Sequence, residues 1–295
     1  MRDVEYDRFG PWVMEISEKD PLPPLFKNYN KRDDTPLLAI KIPRAIDRAD
    51  ASPGMNLYDY VLYMYEEDFL VLKRRRNTVI SDTIRYSNIL CLKDYKNLLD
   101  GQLIIYKKDG NYKLSYNTVS KDVMDKIIDI ILSRYSNKDR KAVLDNMILE
   151  DNDLDFYYSS ILENEKKNNK EIRLVAYQSK IGLKNLDKNA INKLFYKISS
   201  KKLLGSLHLF DNRELKIVNR GINFLYFTKS SYARENCYIP IDKIDNITVE
   251  KDSESSAFVE INIKIGGFKF VYVLERENYL KSNYKKIMEI TNNNL

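Results

Sequence analysis

The chain has 295 residues, of which 43% are hydrophobic and 31% charged, and its formal net charge is +6. This composition is typical of a soluble globular protein rather than a disordered or membrane one. No segment approaches the roughly 18 consecutive apolar residues that a membrane-spanning helix needs.

The first 36 residues differ in composition from the rest of the chain. Seven of the eight prolines precede Gly54. Proline favours extended backbone, so residues 1–36 are predicted to form an extended, Pro-rich arm. The arm is too apolar for a solvated tail, which leaves two interpretations: it packs on the following domain, or it binds a partner chain or a second copy of the protein. Its candidate partner-binding residues are Phe9, Trp12, Leu22, Leu25 and Phe26.

Residues 37–136 are predicted to form a first domain of seven strands and a closing helix. Apolar residues alternate with a period of two from Tyr58 to Tyr65, as in half-buried antiparallel strands. In this pattern Tyr58 and Tyr60 share one face of the sheet. Gly101 and Asp109-Gly110 are interpreted as hairpin turns. Ser120 is then predicted to cap an amphipathic helix.

The remaining chain is predicted to contain a helical connector, 137–170, and a second domain, 171–295. The connector has two helix-like segments, 138–150 and 153–167. The second domain repeats the strand order of the first, with an inserted helix at 188–198. It ends in one amphipathic run, 278–290.

An internal correspondence indicates that the two domains arose by duplication. The residues Ile84, Tyr86 and Ile89 match Ile239, Ile241 and Ile244 at a constant offset of 155. Few of the matched side chains are identical, but their pattern and order are kept, as in an old repeat.

Each repeat resembles a pleckstrin-homology (PH) domain, and in particular the GRAM and bacterial PH branch of that superfamily. The resemblance is carried by Ile239-Pro240-Ile241-Asp242-Lys243-Ile244, an IPxxxI strand that follows a hairpin and precedes two strands and a helix. It covers roughly 37–136 and 171–291, with Arg85 replacing the proline in the first copy. The implied fold is mainly β: two tandem PH-like, seven-stranded antiparallel barrels or sandwiches, each closed by a C-terminal helix. PH-like domains bind lipid head groups, peptides or proteins and are rarely enzymes.

The densest run of charge contains four basic residues at the end of a predicted strand: Lys73, Arg74, Arg75 and Arg76. Basic side chains there are suited to an anionic lipid or a phosphorylated ligand. The alternative is a solvated strand end whose charge is balanced by three acids of the preceding turn, Glu66, Glu67 and Asp68.

No catalytic, metal or cofactor site is predicted. The chain has no GxGxxG, GxxxxGK[ST], GxSxG or HExxH motif. Its single histidine, His208, is interpreted as a surface or partly buried structural residue. Cys91 and Cys237 are predicted to be reduced and half-buried, which is usual in the cytoplasm.

The sequence therefore predicts a non-enzymatic, cytoplasmic binding or scaffold protein that acts through protein–protein contacts, with another protein or itself as partner. One alternative is peripheral membrane or anionic-ligand binding through the basic strand end. A further alternative is a nucleic-acid-associated protein, which the thin spread of positive charge along the chain disfavours.

Overall fold

The computed structural model describes residues 4–136, 154–179, 205–220, 233–251 and 258–292. In these ranges the protein is mainly β, as predicted. Its strands form three antiparallel sheets of five, seven and three strands, and none of these closes into a barrel within the ranges described.

The first part of the chain contains eight strands and two helices. The strands are β1 (Met14–Glu15), β2 (Leu38–Pro43), β3 (Tyr58–Met64), β4 (Asp68–Arg75), β5 (Thr78–Arg85), β6 (Ile89–Asn97), β7 (Asp100–Lys107) and β8 (Gly110–Asn117). The helices are α1 (Val4–Arg8) and α2 (Lys121–Leu132).

The second part repeats this order of strands followed by a helical end. Its strands are β9 (Arg173–Gln178), β10 (Ser206–Phe210), β11 (Glu214–Arg220), β12 (Arg234–Pro240), β13 (Asn246–Lys251), β14 (Phe258–Ile265) and β15 (Phe268–Glu275). Its described helices are α3 (Phe156–Asn168), α4 (Arg276–Lys281) and α5 (Tyr284–Asn292).

The chain divides into two compact units. Unit 1 comprises 1–89, 98–104 and 109–135, and unit 2 comprises 90–97, 105–108 and 136–295. Residues 90–97, which belong to the predicted first domain, are thus part of unit 2, where β6 pairs with β12. The domain boundaries derived from the sequence remain a prediction.

Unit 1 contains a five-stranded sheet with the order β1-β2-β3-β4-β5. One face of this sheet is covered by the N-terminal arm. Alternate sheet residues and arm residues form one core of buried side chains: Phe9, Phe26, Ala51, Leu57, Tyr58, Val61, Tyr63, Tyr65, Leu70, Leu72 and Val79.

A β-bulge alters the predicted side-chain alternation of β3. Tyr60 pairs with Ile42, whereas Pro43 pairs with Tyr58, so one extra residue, Asp59, is inserted in β3. A bulge of this kind turns the preceding side chain to the other face. Tyr58 is therefore buried in the arm-covered core, and the prediction that it shares a face with Tyr60 is wrong.

The matched sequence segments form the same local structure in the two units. A 3-10 turn, Tyr86–Asn88, follows Arg85, and a 3-10 turn, Ile241–Lys243, follows Pro240. Arg85 has φ −71° and ψ 137°, and Pro240 has φ −62° and ψ 133°. Arg85 thus adopts the backbone conformation that the proline ring fixes in the second copy.

The hydrogen bonds at these two turns also correspond. The N–H of Tyr86 donates to the carbonyl of Glu67 at 3.2 Å, and the N–H of Ile241 donates to the carbonyl of Arg213 at 2.8 Å. In each unit the acceptor lies in the hairpin turn that precedes the matched strand. The correspondence read from the sequence therefore extends to backbone geometry.

Unit 2 contains the strand order β6-β12-β11-β10-β9 and a separate sheet, β13-β14-β15. Buried residues from both sheets and from α5 form one core cluster. It includes Cys91, Val175, Phe210, Ile217, Cys237, Ile239, Ile261, Ile263, Tyr272, Tyr284 and Ile287.

The closing segment of unit 2 is two helices rather than the single predicted run. α4 ends at Lys281 and α5 begins at Tyr284. Between them Asn283 donates its backbone N–H to Val175 O at 2.8 Å and its Nδ2 to Leu174 O at 3.0 Å. In a continuous helix, the backbone N–H of Asn283 would donate to a carbonyl one turn earlier in the same helix. Here it donates to β9 instead, so the helix is interrupted at this residue.

Only part of the predicted connector can be compared with the structure. α3 confirms the second helix-like segment, and Asp155 caps it by accepting a hydrogen bond from Tyr158 N at 3.0 Å. The first segment, 138–150, and the predicted inserted helix, 188–198, lie outside the described residues.

Candidate functional site

The four predicted basic residues end β4 and begin the turn to β5; we call Lys73–Arg76 the basic turn. Lys73, Arg75 and Arg76 are exposed, while Arg74 is half-buried. Arg76 has φ 59°, a left-handed conformation that non-glycine residues adopt mainly in tight turns. The ammonium of Lys73 lies 5.4 Å from the centre of the Tyr60 ring.

Arg74 differs from its neighbours because it is held by an acid. Its Nε and Nη2 donate to Asp59 Oδ1 at 3.0 and 2.6 Å, and its Nη1 donates to Arg76 O at 3.2 Å. The Asp59 carboxylate offsets the charge of Arg74, whose guanidinium in turn braces the turn. The basic turn therefore presents three cationic side chains, rather than four, that form no ion pair with the described residues.

The acids expected to balance this charge lie elsewhere. Asp68 is at the opposite end of β4 from Arg75, roughly 23 Å away at about 3.3 Å per residue. It pairs with Arg32, and Glu66 pairs with Arg134 at 2.9 Å. The predicted charge balance is wrong for these acids, because the hairpin register separates them from the basic turn.

The equivalent basic residues of the second repeat are already engaged. Lys216 Nζ donates to Glu165 Oε1 at 2.7 Å. The guanidinium of Arg220 lies over the Tyr157 ring, 4.7 Å from its centre. A surface like the basic turn is therefore not repeated at these positions of unit 2.

The five arm residues predicted to bind a partner have different environments. Phe9 and Phe26 are buried in the unit 1 core, and Leu22 and Leu25 pack against it half-buried. Trp12 is 47% exposed. Its ring lies against Gly10, where a Cβ atom would come within 2.0 Å of Trp12 Cζ3. Only Trp12 among the five offers a largely exposed apolar surface.

Polar contacts also hold the arm on its own unit. Lys41 donates to Pro21 O at 3.1 Å, and burial lowers the pKa of its ammonium. Arg48 donates to Phe9 O at 2.8 Å, and Glu5 Oε1 accepts from Leu57 N at 3.0 Å. The arm is thus part of the domain that follows it.

Three further exposed apolar residues lie at the same end of unit 1 as Trp12. Leu98, Leu99 and Val119 are 69%, 60% and 60% exposed. Thr118 N donates to Leu99 O at 3.0 Å, and Thr118 Oγ1 donates to Leu98 O, so the two leucines lie next to Val119.

The residue after Val119, Ser120, connects this end of unit 1 to the N-terminal arm. Val13 N donates to Ser120 Oγ at 2.8 Å, which brings Trp12 to the same end of unit 1 as Val119. We call Trp12, Leu98, Leu99 and Val119 the apolar patch. A group of exposed apolar side chains at one end of a unit often marks an interaction site.

The apolar patch was missed because the hairpin turn was placed at the wrong residue. The turn between β6 and β7 is Leu98-Leu99, while Gly101 lies inside β7. Leu98 has φ 51°, a region where glycine or asparagine is the usual residue. Two leucines between an Asn97 and an Asp100 are the sequence signal that could have identified this turn.

His208 lies in a buried polar cluster of unit 2 rather than near the surface. It is fully buried, its Nε2 is 2.8 Å from Ser206 Oγ, and its Nδ1 is 2.5 Å from Tyr284 OH. Burial lowers its pKa to about 3, so the imidazole is neutral. The Ser206–His208 pair has no access to solvent, and this geometry is that of a structural hydrogen-bond network.

The two cysteines are also fully buried. Cys91 and Cys237 are unpaired and belong to the same core cluster of unit 2. Burial raises the pKa of the Cys91 thiol. Across the described ranges, no group of three or more His, Cys, Asp or Glu residues is arranged to hold a metal ion.

No family model matches this sequence, and no curated protein matches it. None of the helices in the described part of the chain is long and apolar enough to cross a membrane.

Proposed function

We propose that this protein is a non-enzymatic binding protein, built from two PH-like units, that recognises a protein partner through the apolar patch of unit 1. The observation that carries the proposal is the grouping of Trp12, Leu98, Leu99 and Val119, each about half exposed or more.

The PH-like assignment is supported by the order of the elements. β2–β5, β6–β8 and α2 form a series of four strands, three strands and a helix, and β9–β12, β13–β15 and α4–α5 follow the same series. A 3-10 turn separates the fourth strand from the fifth in both series. Two independent folds would have no reason to share this order and these turn geometries.

The conformation of Leu98 favours a functional role for the apolar patch. A leucine with positive φ costs on the order of 1 kcal/mol, and its side chain gains no burial in return. Glycine or asparagine at the same position would relieve the strain. An exposed, strained leucine is therefore better explained by an interaction than by folding.

The charges that flank the apolar patch favour a protein partner over a lipid surface. Glu15 pairs with Lys126, Lys121 pairs with Asp125 at 3.8 Å, and Arg8 pairs with Asp20 at 3.6 Å. Each of these pairs has no net charge, so the pairs provide no net attraction to anionic lipid. An apolar centre with a mixed polar rim is the usual arrangement of protein interfaces.

The test uses the double variant Leu98→Asn and Val119→Ser. Asparagine tolerates positive φ, so the variant should fold at least as well as the wild type. Leu280→Ser is the control, because Leu280 is 66% exposed in unit 2. A partner recovered by affinity capture and then purified should bind the wild type and the control equally and the double variant at least tenfold more weakly.

Trp12, the single tryptophan, provides a direct readout of the apolar patch. Its fluorescence should shift to the blue when the purified partner is added. Equal partner affinity of all three proteins contradicts the proposal. A blue shift with neutral phosphatidylcholine vesicles and no partner would identify a membrane as the target instead.

A second candidate function, anionic-ligand or membrane-surface binding through the basic turn, is favoured by its separation from Glu66 and Asp68. The triple variant Lys73→Ala, Arg75→Ala, Arg76→Ala keeps Arg74, which is structural. At about 1 kcal/mol per basic residue, it should bind vesicles rich in phosphatidylserine about 100-fold more weakly. Equal sedimentation of variant and wild type with these vesicles rejects this candidate.

A further inference from the structure

Within the described parts of the chain, the outer edge of β5 has no strand partner. β5 is the last strand of the five-stranded sheet and pairs only with β4. The bond from Tyr65 N to Asp68 O fixes which residues of β4 face β3. The backbone N–H and C=O groups of successive residues in a strand point alternately to the two sides of the strand. With the β4–β5 register, the N–H and C=O groups of Ile80 and Asp82 point toward β4. Those of Ser81 and Thr83 point away from the sheet.

Among the residues that the structure describes, this edge is accessible and lacks steric protection, although charged side chains lie near both of its ends. Ser81, Thr83 and Arg85 are exposed, and Ile80 is 47% exposed. Edge strands are normally blocked by a proline, a bulge or a covering segment, or are kept very short. β5 has eight residues, no proline and no register shift, and four of its residues are β-branched threonine or isoleucine.

The charges around β5 are predominantly basic. Lys73, Arg75 and Arg76 lie near its first residue and Arg85 is its last residue, all four exposed. Within the described ranges none of these four side chains forms an ion pair. Among the acids, Asp59 is engaged by Arg74, and Asp82 is half-buried in the middle of β5.

We propose that β5 binds an extended, acidic segment of a partner protein, which adds to the sheet as a sixth strand. The outward peptide groups of Ser81 and Thr83 would pair with the segment's backbone. An apolar residue of the segment would cover Ile80, and acidic residues at its two ends would meet the basic turn and Arg85.

The proposal rests on the protein-binding function but uses a different surface. β1, which leads from Trp12, and β5 are at opposite edges of the five-stranded sheet, four strand spacings of about 4.8 Å apart. A variant at one edge therefore leaves the other intact, and the two proposals fail independently.

The matched variants Ser81→Pro and Ser81→Ala test the role of the backbone. Proline removes the outward N–H without affecting the bonds to β4, and alanine removes only the hydroxyl. The probe is a fluorescein-labelled eight-residue peptide with alternating threonine and valine at its centre and two glutamates at each end. Anisotropy should show binding to Ser81→Ala and at least tenfold weaker binding to Ser81→Pro.

The peptide itself provides the second measurement. N-methylation of alternate amides should abolish binding, and lysines in place of the glutamates should weaken it at least tenfold. The quadruple variant Lys73→Glu, Arg75→Glu, Arg76→Glu and Arg85→Glu, in which all four charges are inverted, should reverse this preference. The reversal keeps the test decisive even if Ser81→Pro fails to fold, which circular dichroism would reveal.

Several outcomes would overturn the proposal. Equal affinity of Ser81→Pro and Ser81→Ala, both folded, would show that charge alone attracts the peptide. Competition for the wild type by phosphatidylserine vesicles, with no effect of N-methylation, would assign the basic residues to lipid. A wild-type dimer in sedimentation equilibrium that Ser81→Pro dissociates would make a second copy the occupant.

Discussion

The backbone N–H of Val13 donates to the hydroxyl oxygen of Ser120 at 2.8 Å, and the bond is buried. These residues are 107 positions apart, and the bond joins the N-terminal arm to the start of α2. Ser120 occupies the N-cap position of that helix, as predicted, but its side chain makes no capping bond. The hydroxyl is used to hold the arm instead.

Ser120→Ala should therefore destabilise the arm more than the helix. A buried N–H without an acceptor costs about 1–3 kcal/mol. We expect a loss of that size in the free energy of unfolding, measured by urea denaturation and circular dichroism. The arm should also become more sensitive to limited proteolysis.

Ser133→Ala is the matched control for that experiment. Ser133 is the C-cap residue that follows α2, and its hydroxyl donates to Ile130 O and accepts from Arg134 Nη1, both at an exposed site. Its replacement should change the free energy of unfolding by a few tenths of a kcal/mol at most. If both variants lose the same stability, the Val13–Ser120 bond does not hold the arm.

Phe26→Ala should be one of the most destabilising changes in the arm. Phe26 is 1% exposed and packs in the unit 1 core, so truncation leaves a cavity and costs about 3–5 kcal/mol. Trp12→Ala, at an exposed site of the same arm, should cost less than about 1 kcal/mol. Equal urea midpoints for the two variants would contradict packing of the arm on its own unit.

His208 should make stability dependent on pH in acid. Its pKa is about 3 when folded and about 6.5 when unfolded, so only the unfolded chain gains a proton as the pH falls through 6.5. Stability is lost between pH 6.5 and pH 3, at up to about 1.4 kcal/mol per pH unit. From pH 6.5 to pH 5 the contribution is about 2 kcal/mol.

His208→Gln isolates this contribution from that of the acids. Glutamine does not titrate, so the variant should lose about 2 kcal/mol less than the wild type between these two pH values. Urea denaturation at both pH values measures the difference. The same pH dependence in both proteins would show that His208 is not held neutral by burial.

The thiols of Cys91 and Cys237 should be unreactive in the folded protein. Both are buried, and burial raises the pKa of Cys91, which lowers its thiolate fraction. A thiol reagent such as dithionitrobenzoate should react with neither until denaturant is added, and then with both. Ser133→Cys provides an exposed thiol that reacts at once, and native reactivity at all three positions would refute the prediction.

Much of the fold follows from local pattern in the sequence. Period-two alternation identified β3 and β4, and the matched residues around Tyr86 and Ile241 identified segments with equivalent local structure, although the sequence predicted a strand where the structure has 3-10 turns. Such features depend on residues that are close in the chain. They can therefore be predicted without knowledge of tertiary contacts.

The errors occurred where long-range contacts determine the structure. The bulge at Asp59 turns Tyr58 toward the arm, and Asn283 interrupts the closing helix by bonding to β9. The basic turn was located correctly, but its balancing acids were assigned by proximity in sequence. Only the strand register shows that they lie at the other end of the hairpin.

The bonds from Asn283 to the carbonyls of β9 have a consequence for self-assembly. They occupy carbonyl acceptors on β9, the last strand in the order β6-β12-β11-β10-β9, so this strand is a poor template for another chain. Pairing of β5 in one copy with β9 in the next is therefore disfavoured, and this route to head-to-tail fibre growth is blocked.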